Sequence, residues 1–185
     1  SSGVRYYSFS GETYAQEVLT LEHPTLSTAG STGVAYDVGG RNLYVFRNAQ
    51  EVFQQNLDEG SSLLSARVNE AGWLTVTAQQ SGYKGSVTVY NNTYDKPVIQ
   101  INLSSTFIMD AVLSPDCKTV AIVTLGQSNG SYESQVRFYP VDQQEPSAVV
   151  SLGNLVPLDL DYETGALWIQ GEDQLLIVSP NRKET

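Results

Sequence analysis

Four segments of this chain share one pattern: an aromatic residue closing a strand, a polar turn, then an apolar strand ending in leucine. They run Phe9–Leu21, Phe46–Leu57, Tyr90–Leu103 and Tyr139–Leu152, with aromatic-to-leucine separations of 12, 11, 13 and 13 residues. The successive leucines lie 36, 46 and 49 residues apart. Repeats of about 40–50 residues built from short strands are the signature of propeller blades, small sheets that bury their faces against one another. No segment sustains an apolar period of 3.6, so the chain is read as all-β with almost no helix.

A second unit alternates with the first. Leu64–Thr77, Ile108–Thr124 and Leu158–Ile169 each read as apolar strand, tight turn, apolar strand. The clearest turn is Ser114-Pro115-Asp116-Cys117-Lys118, where Pro115 presets φ and Ser114 and Asp116 can bond nearby amides. Aligned on the turn, Asn69, Ser114 and Asp161 fall at one position.

Labelling blade strands A to D, the chain opens with C (Val4–Phe9) and D (Tyr14–Leu21). Blade one follows as Leu26–Ala29, Gly33–Asp37, Asn42–Arg47 and Glu51–Leu57. Blade two reads Leu63–Asn69, Trp73–Gln79, Ser86–Tyr90 and Val98–Leu103. Blade three reads Phe107–Leu113, Thr119–Leu125, Glu133–Tyr139 and Ala148–Leu152. An A–B–C trio closes the chain at Leu155–Leu160, Ala166–Gln170 and Gln174–Val178. The expectation is one β-propeller domain over residues 1–185, of about four blades of four antiparallel strands. Its units are residues 1–21 (partial), 22–57, 58–103, 104–152 and 153–180 (partial).

The count is 17 strands, one more than four blades hold. Both ends claim the C position of one blade, so the ends are not expected to form a simple ring. The chain is read as part of a larger propeller, or as completed by a second chain, a homo-oligomer included. Uncovered blade faces and strand edges drive such pairing.

The stretch Val112–Val123 resembles the Ser-Pro-Asp-Gly-Lys signature of WD-repeat and TolB-like propellers. Asn42–Asn48 with its following D strand resembles the blades of quinoprotein-like propellers. The Trp-Asp pair and the buried His-Asp network of regular WD repeats are missing. Cys117 stands where the signature has glycine, a position that often takes φ > 0. The pattern also resembles a bacterial family of membrane-anchored propeller proteins. That resemblance implies an extracytoplasmic location, with a signal or anchor upstream of this segment. The only methionine, Met109, is internal, so the segment is read as processed or cut.

Ten basic against twenty acidic residues give a net charge of −10. That field disfavours nucleic acid and anionic lipid as partners. No run of about 18 apolar residues exists, so no membrane insertion is expected of this segment. One cysteine, Cys117, excludes an internal disulfide. Lys118 beside it is a candidate to lower the thiol pKa.

Hydrolytic triads need a histidine, and the only one is His23, in a loop beside Pro24. Zinc needs clustered Cys and His that this chain lacks. Asp159, Asp161 and Glu163 alternate along the chain, a spacing that lets carboxylates converge on calcium, yet without an EF-hand loop, and Asp161 reads equally as a turn cap. No phosphate loop is present: Gly39-Gly40 follows a strand and opens no helix. No cofactor, metal or catalytic residue is therefore assigned.

The site reading rests on geometry. Propeller A strands line the central channel, and Arg67, Asp110 and Asp159 sit on three successive predicted A strands. Charged residues are rare on strands packed on both faces. They are read as ligand-contacting residues at the channel mouth, or else as partners fixing blade spacing. The leading function is a non-catalytic binding or scaffold module for a protein or cell-envelope component. The alternative is a glycan-active or other hydrolytic enzyme using Asp110 and Asp159.

Overall fold

Short runs of β-branched and aromatic residues between Gly-, Asn- and Pro-bearing turns give eighteen strands and no helix among the described residues. The computed structural model describes residues 2–7, 13–180 and 182–184. A two-stranded hairpin, β1 (Ser2–Tyr7) and β2 (Thr13–Leu19), precedes four antiparallel four-stranded sheets. Blade one is β3 (Pro24–Ala29), β4 (Thr32–Asp37), β5 (Asn42–Arg47) and β6 (Gln50–Asn56). Blade two is β7 (Ser62–Val68), β8 (Leu74–Gln80), β9 (Tyr83–Tyr90) and β10 (Pro97–Leu103). Blade three is β11 (Phe107–Leu113), β12 (Thr119–Ser128), β13 (Ser131–Pro140) and β14 (Ala148–Gly153). Blade four is β15 (Asp159–Glu163), β16 (Ala166–Gln170), β17 (Leu175–Ser179) and β18 (Arg182–Glu184). The molecule is a four-bladed β-propeller, each blade a meander in chain order.

Four readings are corrected, all bearing on the C-terminal end. There are eighteen strands, because β18 pairs with β17 and completes the last sheet. The inner strand of that blade is Asp159–Glu163, not Leu155–Leu160. Asp161 lies inside this strand, paired with Trp168, so it does not initiate the turn. The turn there is the two-residue Thr164-Gly165, shorter than its counterparts in blades two and three. The two ends do not share a blade: the hairpin is a separate sheet, and blade four takes its fourth strand from β18. At the start, Ser8 and Phe9 of the predicted C strand lie outside the described residues.

The core is divided by seams. Val4, Tyr6, Leu19 and Leu21 pack with Ala35, Tyr44 and Phe46 of blade one. Val34, Leu43 and Val45 of blade one meet Leu63, Leu74 and Val76 of blade two. Val87, Val89 and Ile101 of blade two meet Ala111, Val120 and Ile122 of blade three. Ala121, Val123 and Phe138 of blade three meet Leu160, Leu167 and Ile169 of blade four. Opposite faces of one strand thus serve different seams, as period-2 alternation requires. Leu74–Ala78 of β8 and Val120–Thr124 of β12 are buried throughout, the pattern of strands covered on both faces. No cluster joins blade four to the hairpin among the described residues. On the far side of blade four, Leu175 and Ile177 stay exposed.

Left-handed backbone occurs in several turns, the A–B turns of blades two and three among them. In blade three the Cys117 amide bonds the Ser114 carbonyl at 2.9 Å, and Cys117 sits at φ +59°. In blade two the Gly72 amide bonds the Asn69 carbonyl at 2.9 Å, with Gly72 at φ +75°. The left-handed backbone expected at Cys117 is therefore present. A residue with a Cβ occupies the place that glycine fills one blade earlier.

Candidate functional site

The four A strands, β3, β7, β11 and β15, all contribute to one opening of about 300 Å³, including Thr28, Arg67, Val112 and Asp161. This is the mouth of the central channel, at the end where the A–B turns lie.

A chain of polar groups crosses the inner strands beside it. β7 is bulged between Leu63 and Ser65, and β11 is bulged between Ile108 and Asp110. Bulges re-aim the following side chain. They bring Ser65 and Asp110 to the same register in neighbouring blades, and Ser65 Oγ donates to Asp110 Oδ1 at 2.7 Å. Asp159 holds the corresponding place in β15. The local geometry repeats: Asp110 Oδ1 accepts from the Ala111 amide at 2.8 Å, and Asp159 Oδ1 from the Leu160 amide at 2.9 Å.

Arg67 ties the row together. Its Nη2 lies 2.5 Å from Asp110 Oδ2, and its Nε donates to Asp110 Oδ1 at 3.3 Å, a fork-to-fork pair. The same Nη2 is 3.7 Å from Asp159 Oδ1, and Nη1 donates to the Leu160 carbonyl at 3.4 Å. One guanidinium of blade two therefore reaches blades three and four. Burial works against the Arg67 charge, but the Asp110 hydrogen bond and the charges of Asp110 and Asp159 outweigh it and hold its pKa above the ordinary value. The Arg67 and Asp110 side chains are 28% and 21% exposed, whereas Asp159 is 67% exposed. Asp159 is the member open to solvent.

The three residues named from sequence are thus brought together, with Arg67 paired to both carboxylates. Sequence reasoning missed Ser65, which a serine's lack of charge conceals. Its register two residues before Arg67 and level with Asp110 was the available signal.

Other candidates lie apart. The His23 side chain is exposed, and its backbone amide donates to Asp37 Oδ1 at 2.9 Å. Cys117 is a free, half-buried thiol. Burial and the nearby Asp116 push its pKa up, against a lowering from the Asn69 hydrogen bond. That reverses the activation expected from Lys118. Asp159, Asp161 and Glu163 share the solvent-exposed face of β15, and no group of three or more metal-ligating residues converges among the described residues.

Comparison with known proteins places the chain. The model of a family of unknown function, DUF5711, matches residues 1–157. The chain belongs to DUF5711. A search of curated proteins finds no match. The β-propeller domain of Cps50 (Swd1) from Myceliophteria thermophila superposes with a TM-score of 0.67 at 10% identity. That alignment covers 96% of the present chain and 58% of the other. A crystal structure of a eukaryotic initiation factor superposes with a TM-score of 0.69 at 10% identity, covering 99% of this chain and 47% of that one. At such identity the likeness is one of fold. This DUF5711 chain spans about half the length of the solved structures it matches.

Proposed function

We propose that this DUF5711 chain is a non-catalytic binding module that presents its channel mouth to a protein or cell-envelope partner. The observation that carries the reading is the state of Asp110. Its two oxygens accept from Arg67, Ser65 and the Ala111 amide, the arrangement of an ion pair between blades and not of a carboxylate held open to substrate. A paired carboxylate mechanism needs one acid and one base open to substrate. Asp159 alone cannot supply both, so the hydrolase alternative finds no support in this geometry. Glu70 and Asp161 at the opening, with exposed Asp159 two residues before Asp161 on β15, offer an acidic surface to a basic segment of the partner. The resemblance to membrane-anchored propellers supports work outside the cytoplasm.

The test is capture from cell-envelope extract by immobilised chain, in three forms: wild type, Asp159→Arg, and Glu51→Arg on the distant strand β6. A partner retained by wild type and Glu51→Arg but lost by Asp159→Arg is expected. Equal retention by all three, or none by wild type, removes the reading. An alkaline phosphatase fusion at the chain's own locus tests the compartment.

A further inference from the structure

The seam between blades one and two changes character along its length. At its inner end it is apolar, with Leu43 and Val45 against Leu74, Val76 and Tyr90. Farther out, the strand register carries the same faces onto polar residues. In β6, Gln55 follows Phe53 on the face turned to blade two, opposite Leu43. In blade two, Ser86 and Thr88 of β9 and Gln100 of β10 continue the face of Tyr90. Gln80, past a bulge after Ala78, joins them around a cavity of about 170 Å³.

Two acceptors in this cavity are left over. Gln55 donates Nε2 to the Tyr90 hydroxyl at 3.2 Å, which fixes the amide, yet its Oε1 is buried without a hydrogen-bond partner among the described residues. Gln80 Oε1 is in the same state. Ser86 and Tyr90 are each 6% exposed, while Asn56, Asp58 and Gln100 are exposed, so the cavity runs from inside the seam out to its rim. Placing unpaired amide oxygens where apolar packing is available is costly. Such local violations collect at functional sites.

The next seam differs in charge. Thr88 pairs with Val76 as Arg137 pairs with Ile122, so Arg137 occupies the corresponding place one blade on. Between blades one and two that place holds a neutral hydroxyl. The only charged lining residue is Asp58, exposed at the edge.

We infer that this cavity binds a small neutral ligand rich in hydroxyl groups, of the size and chemistry of one sugar ring. The two glutamine oxygens require donors, which ligand hydroxyls supply. The Ser86 and Thr88 hydroxyls and the Gln100 amide each donate and accept. Nothing inside the seam selects a charge. The volume lies below the range of drug-sized pockets. The site is separate from the channel mouth and goes beyond the binding-module reading.

The test titrates free glucose, galactose, mannose and N-acetylglucosamine into isotope-labelled protein and follows the glutamine side-chain amides by NMR. A saturable shift at Gln55 and Gln80 is expected with at least one sugar. Gln80→Leu and the milder Ser86→Ala should each weaken it about tenfold, the loss of one hydrogen bond. Asp159→Asn should leave it unchanged, which separates this site from the channel mouth. Thermal melting verifies that each variant is folded. No saturable shift with any of the four sugars overturns the inference, as do equal affinities in wild type and both variants. The amide oxygens would then be served by ordered water alone.

Discussion

Asn69 donates its side-chain amide to the sulfur of Cys117 at 3.2 Å. The two residues belong to the A–B turns of neighbouring blades, so the turns are bonded to each other as well as within themselves. Asn69 Oδ1 also accepts from the Trp73 amide at 3.0 Å, closing its own turn. Cys117 faces this contact from a left-handed backbone at φ +59°.

Cys117→Gly is expected to stabilise the protein by about 0.5–1 kcal/mol. Relief of a left-handed Cβ penalty of roughly 1–2 kcal/mol exceeds the greater freedom of glycine in the unfolded chain and the loss of a weak sulfur acceptor. A lower Tm for the variant would show that the sulfur contact outweighs the backbone.

Gly72→Ala runs the opposite way. Gly72 sits at φ +75°, and an added Cβ would lie 2.9 Å from Arg47 Nη2. That Nη2 also donates to the Tyr94 hydroxyl at 3.0 Å, so its retreat breaks a second contact. A loss of about 1–2 kcal/mol is expected in urea denaturation. Gly82→Ala, at φ +84° with open space around it, should lose less.

Removing Arg67 leaves Asp110 half-buried beside no cation. Arg67→Met should cost about 1–3 kcal/mol, less than a fully buried pair because solvent still reaches both groups. Arg67→Met with Asp110→Asn should recover part of that cost. A double-mutant cycle by chemical denaturation reads the coupling, and simple additivity would show that the pair does not hold the blades.

Asp116 gives a pH-dependent term. The Ser114 hydrogen bond, then the Lys118 amide and charge, hold its pKa below the ordinary 3.8 despite some desolvation. A depressed carboxyl pKa contributes stability that is present above the unfolded value and lost as pH falls through the folded value. Asp116→Asn should therefore lower Tm slightly at neutral pH. The gap from wild type should close as pH drops below 3.8. A gap unchanged at acid pH would assign the effect to the hydrogen bonds alone.

The blades were legible because their strands alternate strongly and their turns carry Gly, Asn and Pro. Blade four was read less well, for a physical reason. The inner strands of blades two and three are mostly apolar, with one face buried and the other largely half-buried, whereas Asp159–Glu163 alternates exposed acid with buried Leu160 and Tyr162. Its one uncovered face made it look like a turn, and the apolar Leu155 and Leu158 drew the strand too early. Arg182–Glu184 carries no apolar signal, being three charged residues that pair through their backbone. Arg67, Asp110 and Asp159 stood out as charges on inner strands. Ser65 and the cavity of Gln55 and Gln80 depend on register and bulges, which composition does not encode.

Each blade rests on its neighbours through seams of its own, and that has a kinetic consequence. A chain whose sheets touch only along a line behaves as a one-dimensional array, with stability close to a sum of unit and nearest-neighbour terms. Opening need not be all-or-none. Sheets with one covered face should fray first, and hydrogen exchange should slow toward β8 and β12, the strands buried on both sides.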